Sequence, residues 1–167
     1  VISYLKFSIP VLLPWVMLSG IADIIKILPF QLLKQLIETP TGQFVYFIFF
    51  MSIVVIIAPA IIQKLWNCKP LEDGEVRTRI DTLCRKSGVN YSNILYWPIF
   101  GGRMITAGVM GLVKRFRYFL VTEALLKYLE PIEIDAVIAH EIAHVKKKHL
   151  LYYVLFLSLF VLVLTSQ

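Results

Sequence analysis

Three histidines and a glutamate lie within the otherwise apolar stretch AVIAHEIAHVKKKH, residues 136–149. His140 and His144 are four residues apart, so on a helix that turns about 100° per residue their side chains lie one turn apart on the same face. Imidazole nitrogen is a preferred ligand of zinc, and catalytic zinc sites keep one position open for water. Glu141 adjoins the first histidine and is placed to accept a proton from that water as it attacks a carbonyl group. The H-E-x-x-H spacing therefore predicts zinc-dependent hydrolysis.

The same residues could also have a purely structural function. A histidine on an apolar helix face is more often a hydrogen-bonded core residue than a ligand, and a single glutamate there could pair with a lysine. Two histidines and a glutamate at this spacing favour the metal site, because ionisable groups are costly among apolar neighbours unless they have partners. His149 lies about 140° from His144 on a continuous helix, so we do not expect it to share the ion. With lysines 146–148 it is interpreted as a basic collar at a membrane surface.

A catalytic zinc site has three protein ligands and a water, so the two histidines leave one protein ligand to be identified. Four carboxylates of the chain are candidates in principle: Glu123, Glu130, Glu133 and Asp81. Glu130 and Glu133 also suit the start of a helix, where negative charge is favourable. We expect the third ligand to lie beyond Gln167, in which case this chain alone would bind zinc weakly and would be inactive.

The composition predicts a membrane protein. Of the 167 residues, 58% are hydrophobic and 13% are aromatic, and the mean hydropathy is +0.74. A net charge of +6 could indicate nucleic-acid binding, but that requires a clustered basic face with stacking aromatics in a soluble domain. An excess of lysine and arginine is also typical of the cytoplasmic side of membrane proteins, which we favour. Cys68 and Cys84 lack metal-binding or disulfide spacing and are expected to be reduced.

Three apolar runs predict membrane spans. Residues 44–63 are the clearest, a run without charged residues that is close to the roughly 20 residues that cross a bilayer. Residues 1–29 form a weaker span that Pro10 and Pro14 interrupt, or alternatively a cleaved signal peptide. Residues 150–167 begin a third span that the sequence truncates, and we interpret the chain as a fragment.

The charge distribution predicts the orientation of these spans. Residues 64–149 carry 14 lysines and arginines against nine aspartates and glutamates, whereas the loop of residues 30–43 has one of each sign. The excess of basic residues places residues 64–149 in the cytoplasm and the short loop outside.

Residues 64–149 have the patterns of a small mixed domain. Periodicity and turn residues predict a helix over 73–87, short strands over 93–99, 104–110 and 118–122, and a motif helix that begins at Glu130-Pro131. The predicted fold class is therefore mostly α, with multi-pass membrane helices and a small α+β zincin-like domain that carries the H-E-x-x-H helix.

The strand predicted over residues 104–110 is the candidate substrate site. An edge strand near the zinc can pair with an extended peptide, main chain to main chain, and so present the scissile bond. The alternative is an edge strand that another element covers. The candidate contact residues are Ile105, Thr106, Ala107, Gly108 and Val109.

Residues 75–150 resemble the HtpX and CAAX prenyl endopeptidase family of integral-membrane zinc metallopeptidases. The resemblance rests on the strand-turn pattern that ends in Gly111, on the run VTEALL, and on AVIAHEIAHVKKKH itself. It implies that His140 and His144 bind zinc, that Glu141 is the base, and that a glutamate on a later helix is the third ligand.

The predicted function is that of a membrane-embedded zinc endopeptidase that acts on membrane or membrane-associated polypeptides. The resemblance implies misfolded membrane proteins or the C-terminal region of a lipidated protein as substrates. The chain departs from the family's Asn-Ala-x-x-x-Gly pattern at Thr106, where the family has asparagine. Two alternatives stay open: a membrane sensor protease that cleaves itself or a repressor, and a non-catalytic membrane scaffold.

Overall fold

A computed structural model describes residues 38–98 and 103–165, together with isolated positions between residues 16 and 31. The first predicted span, residues 1–29, lies largely outside the described residues, as does most of the loop of residues 30–43.

Helix α1 (Pro40–Leu65) contains the predicted span of residues 44–63 and begins four residues before it. The early start follows from the local sequence: the Thr39 hydroxyl accepts a hydrogen bond from the Gly42 amide at 3.1 Å, and Pro40 occupies the first turn. Within the described residues, α1 is the one helix long and apolar enough to cross a membrane by length and composition. Large apolar side chains such as Phe49, which is 66% exposed, cover its surface.

A four-stranded sheet follows α1. Its strands are β1 (Lys69–Pro70), β2 (Asn93–Tyr96), β3 (Ala107–Met110) and β4 (Tyr118–Val121), and helix α2 (Glu75–Lys86) connects β1 to β2. The order in the sheet is β1-β2-β4-β3, with β2 parallel to β4 and the two edge strands antiparallel to their neighbours. The three predicted strands are present in shorter form, and Ile105 and Thr106 precede β3 rather than belonging to it.

Three helices complete the described chain: α3 (Glu123–Tyr128), α4 (Pro131–Lys146) and α5 (His149–Thr165). Helix α4 begins as predicted, with proline in its first turn. The Glu133 carboxylate accepts a hydrogen bond from the Glu130 amide at 2.8 Å, so it satisfies a donor that the helix start would otherwise leave free.

The sheet is covered on both faces. On one face, Ile94, Phe119 and Val121 pack against buried side chains of α2 and α4. On the other face, Leu95 and Leu120 pack near the end of α1, where the rings of Trp66 and Trp97 stack 5.0 Å apart. The fold is therefore mostly helical with a small sheet, as predicted, and the multi-pass arrangement stays a prediction.

An ion pair joins the two helices that lie on the sheet. Arg79 of α2 donates from Nε to Asp135 Oδ1 of α4 at 3.1 Å, and its hydrogen bond with Asp135 raises the pKa of the Arg79 guanidinium. Cys84 is buried and Cys68 half-buried, and neither forms a disulfide with the other. Burial raises the pKa of each thiol to about 11.

Candidate metal and catalytic site

The motif helix α4 presents its two histidines to solvent. Ile134, Ile138 and Ile142 recur every fourth residue and are buried against the core. His140 and His144 each lie two positions after one of these isoleucines, which places them on another face of the helix. Both histidines are therefore exposed while the isoleucines anchor the helix to the core. Their Nε2 atoms lie 3.0 Å apart, with ring centroids separated by 4.6 Å.

This geometry fits a zinc ion. Two zinc–nitrogen bonds of about 2.0–2.1 Å at a tetrahedral angle separate the nitrogens by roughly 3.3 Å. The observed 3.0 Å between the two Nε2 atoms is close to that separation, and both are the imidazole donors that zinc prefers. The pair thus has the donor type and spacing of half of a tetrahedral zinc shell.

A cleft of about 540 Å³ adjoins His144 of the histidine pair. Glu141 and His144 line it, as do Val109 of β3 and Gly111 in the turn after that strand. Glu141 is half-buried and makes no hydrogen bond or ion pair with any residue in the described part of the chain. Its carboxylate is therefore free to act on a molecule in the cleft.

Strand β3 is an edge strand and packs on the motif helix. Its register with β4 pairs Ala107 with Val121, and just outside the two strands the Thr122 amide donates to the Thr106 carbonyl at 3.2 Å. Hydrogen-bonded pairs alternate along an antiparallel ladder, so the amides and carbonyls of Ala107 and Val109 point away from β4. The side chains of these two residues pack against the core under α4. The candidate strand thus offers main-chain groups beside Glu141 and His144.

The turn after β3 forms part of the cleft wall. Gly111 has φ +103°, and a Cβ atom there would lie 2.1 Å from the Phe116 carbonyl oxygen. Arg117 holds this turn in place, donating from Nε to the Gly111 carbonyl at 3.3 Å and from Nη1 to the Asn90 carbonyl at 2.8 Å. Burial lowers the pKa of Arg117.

Sequence reasoning did not single out Arg117, which also lines the cleft. Its type and position resemble those of its basic neighbours Lys114 and Arg115, and no spacing rule distinguishes it. Only the tertiary fold shows that it is the one directed into the turn.

The position of His149 differs from the prediction. The expectation that it faces away from His144 presumed one continuous helix. Instead α4 ends at Lys146, Lys148 adopts φ +54°, and α5 begins at His149. This break brings His149 Nδ1 to 2.6 Å from His144 Nδ1.

Three of the four candidate carboxylates for the zinc shell have partners elsewhere. Glu123 accepts a hydrogen bond from Tyr96, Glu133 caps the start of the motif helix, and Asp81 accepts one from Tyr91. In the part of the chain that the structure describes, no three His, Cys, Asp or Glu side chains are grouped to hold a metal ion. The third ligand therefore stays a prediction.

The comparison with protein families identifies the family of the chain. A model described as peptidase family M48 matches residues 70–167, which is 98 of the 167 residues. The chain belongs to peptidase family M48. The match covers the sheet, the cleft and the H-E-x-x-H helix, and it confirms the resemblance to the HtpX and CAAX prenyl endopeptidases.

Two individual proteins are similar to this M48 chain. CAAX prenyl protease 1 of Saccharomyces cerevisiae is 31% identical over 135 residues, which cover 76% of this chain and 29% of the yeast protein. The crystal structure of S. mikatae Ste24p matches with a TM-score of 0.70 and 25% identity, over 98% of this chain and 38% of that one. The chain thus spans less than half the length of each of these relatives.

Proposed function

We propose that the protein is a membrane-embedded zinc endopeptidase that hydrolyses peptide bonds in membrane or membrane-associated polypeptides. The observation that carries this proposal is the pair of Nε2 atoms 3.0 Å apart, with the free carboxylate of Glu141 in the adjoining cleft. Membership of a peptidase family supports it. Because the chain spans 29% of the length of the yeast relative, the activity of the whole protein belongs to the proposal.

His140 and His144 would hold the ion through Nε2. Bound there, zinc would polarise the scissile carbonyl and make a water molecule more acidic. Glu141 accepts the proton of the attacking water and passes it to the nitrogen of the departing amine, so the same carboxylate is base and then acid. Its lack of a partner among the described residues suits this function, because a carboxylate held in an ion pair would be a weaker base.

The substrate would bind along β3 in an extended conformation. The outward amides and carbonyls of Ala107 and Val109 would pair with its main chain, and Gly108 adds no side chain on the opposite face. Ile105 and Thr106 lie just before the strand, and the 52% exposed side chain of Ile105 offers an apolar contact for a substrate residue. Main-chain pairing would make binding tolerant of sequence, as an enzyme with several polypeptide substrates requires.

We propose that the third zinc ligand follows Gln167 in the protein. The proposal is supported by the engagement of Glu123, Glu133 and Asp81 elsewhere and by the greater length of the relatives. The residues described here would then form an incomplete shell, with weak zinc binding and no peptidase activity.

For topology, we propose three spans, residues 1–29, 44–63 and 150–167, with residues 64–149 in the cytoplasm and residues 30–43 outside. Helices α1 and α5 contact each other, and both expose large apolar side chains over much of their length. Such a surface would be unfavourable in water and is favourable in lipid.

Substitution of Glu141 by glutamine tests the proposed function. In the protein at its full natural length, purified in detergent with zinc, we expect cleavage of an unfolded protein substrate to fall by about 10²–10⁴-fold, while bound zinc is unchanged. The matched control is Glu72→Gln, the same chemical change at an exposed position before α2, which should leave the rate unchanged. Full activity in the Glu141 variant, or in protein freed of zinc by a chelator, would refute the mechanism.

Comparison of two substrate types addresses specificity. The name of the yeast relative directs attention to prenylated C-terminal CAAX sequences, and the alternative class is misfolded membrane protein. A higher kcat/KM for a prenylated peptide than for the same peptide without its lipid would assign the first class, and equal values would favour the second.

Cysteine labelling tests the orientation. With Cys68 and Cys84 replaced by alanine, a cysteine at exposed position Lys86 should react with a membrane-impermeant maleimide from the cytoplasmic side only. A cysteine at Thr41 should react from the opposite side only. Labelling of both from one side would contradict the proposed topology.

A further inference from the structure

We propose that His149 is a positioning residue for His144: it holds the His144 ring so that Nε2 faces the metal site, and it is not itself a ligand. The proposal rests on the proposed function, since it assigns a partner to one of the proposed zinc ligands. It concerns a histidine whose spacing from the H-E-x-x-H motif gave it no catalytic function in a continuous helix.

The two nitrogens of the His144 ring have different neighbours. Nε2 lies 3.0 Å from His140 Nε2, whereas Nδ1 lies 2.6 Å from His149 Nδ1. The His144 and His149 rings are 4.7 Å apart and inclined by 73°, so the contact runs nitrogen to nitrogen rather than ring on ring. His149 therefore contacts the nitrogen that is directed away from the histidine pair.

The fold builds this contact at a cost to the backbone. The Lys147 amide ends α4 by donating to the Ala143 carbonyl at 2.9 Å, and the Lys148 amide donates to Val145 at 3.1 Å. Lys148 then takes φ +54°, a region that residues other than glycine seldom adopt. Such a conformation persists only when its surroundings fix it, and here it places His149 beside His144 at the first residue of α5.

The chemistry of a metal-binding imidazole requires a partner at this nitrogen. When Nε2 of a neutral histidine donates its lone pair to a metal, the ring proton is on Nδ1, which becomes a hydrogen-bond donor. Ligating histidines almost always donate this second N–H to an acceptor, which fixes the tautomer and the ring orientation. The Nδ1 atom of His149 is within hydrogen-bond distance to accept it, and the proton of His149 is then on its own Nε2.

The same contact argues against His149 as the third ligand. A ligand would have to approach the ion bound at His144 Nε2, yet His149 meets the opposite side of that ring. In the chain as described, these histidines also do not form a three-donor group suited to a metal.

Three substitutions separate a hydrogen-bond acceptor from a ring that only fills space. His149→Phe keeps a ring and removes the nitrogen, His149→Ala removes both, and His149→Asp removes the ring but restores an acceptor. In the full-length protein in detergent, we expect the zinc dissociation constant, measured by chelator competition, to rise about 10–100-fold in the Phe and Ala variants. The Asp variant should bind zinc with nearly wild-type affinity, as should the control Lys147→Ala. Circular dichroism shows which variants are folded. If the Ala variant is unfolded, the Phe variant alone is compared with the wild-type protein.

A second measurement distinguishes positioning from ligation. X-ray absorption at the zinc edge should count the same number of imidazole ligands in wild-type protein and in the Phe variant at saturating zinc. Unchanged zinc affinity in the Phe variant overturns the proposal, and so does the loss of one imidazole ligand. If His140→Ala abolishes binding while the Phe variant binds normally, only the function of His149 fails. If the wild-type protein binds no zinc, both the proposed peptidase mechanism and the proposal for His149 fail.

Discussion

Substitution of Gly111 by alanine tests whether the turn after β3 shapes the cleft as the structure shows. An alanine Cβ would lie 2.1 Å from the Phe116 carbonyl oxygen and 2.9 Å from the Arg117 Cα. Ordinary contacts begin near 3.4 Å, so the two backbone segments would have to separate by more than an ångström. That movement would also disturb the hydrogen bond from Arg117 to the Gly111 carbonyl.

The expected loss of stability combines two costs. A residue other than glycine held at φ +103° costs about 1–3 kcal/mol, and forcing an atom into a filled space costs about 1–3 kcal/mol more. The free energy of unfolding should therefore fall by roughly 2–6 kcal/mol. For a chain of this size, each kcal/mol lowers Tm by about 2–4 °C, which gives a decrease on the order of 10 °C.

Strand β3, which precedes this turn, offers a matched control. Gly108 lies three residues earlier, and a Cβ there would meet no atom within 4 Å. Gly108→Ala should change the free energy of unfolding by no more than about 1 kcal/mol. Thermal unfolding in detergent, followed by circular dichroism, measures both variants. Equal Tm values for Gly111→Ala and Gly108→Ala would refute the proposed turn geometry.

Three further predictions concern the surroundings of the site. Lys148→Gly should raise Tm by a few degrees because glycine relieves about 1 kcal/mol of strain at φ +54°, whereas Lys147→Gly, at an ordinary helix end, should lower it. Ile138→Ala should lower the free energy of unfolding by about 2–5 kcal/mol, since the side chain is fully buried beneath the motif helix, and urea titration would show a smaller change if it were not. The hydrogen bond from Tyr91 lowers the pKa of Asp81 below 3.8, so the stability from this carboxylate is present above that value and is lost as pH falls below it. Tyr91→Phe should therefore make Tm depend less steeply on pH in the acid range. An unchanged dependence of Tm on pH would contradict this.

Local chemistry made the motif helix predictable. The spacing of His140 and His144 is sufficient to bring two side chains together on any helix, and the structure places their nitrogens within reach of one ion. The start of α4 was equally local, because Pro131 and Glu133 satisfy the first turn from within it. The predicted functions of these histidines nevertheless stay predictions until metal is measured.

The features that the sequence did not reveal depend on long-range packing. No glycine or proline marks the end of α4, so the left-handed turn at Lys148 has no sequence signal. Because this turn places His149 beside His144, the position of His149 could not be predicted either. The parallel pairing of β2 with β4 brings together segments more than 20 residues apart, which periodicity cannot show. Arg117 lines the cleft because of that pairing, since the Ser92 amide donates to its carbonyl at 2.7 Å beside the first residues of both strands.

The break between α4 and α5 lies between the proposed zinc site and the proposed third membrane span. Because His149 both contacts His144 and begins α5, the proposed zinc site lies at the end of the helix that we propose enters the bilayer. Leu150, six residues after His144 and in the first turn of α5, also lines the cleft. Exposed Tyr152 and Tyr153 follow at once, in the position where aromatic residues favour the membrane surface. In the proposed topology, a polypeptide that reaches Glu141 would lie close to the lipid, and this position alone would favour substrates at the membrane without any sequence-specific pocket.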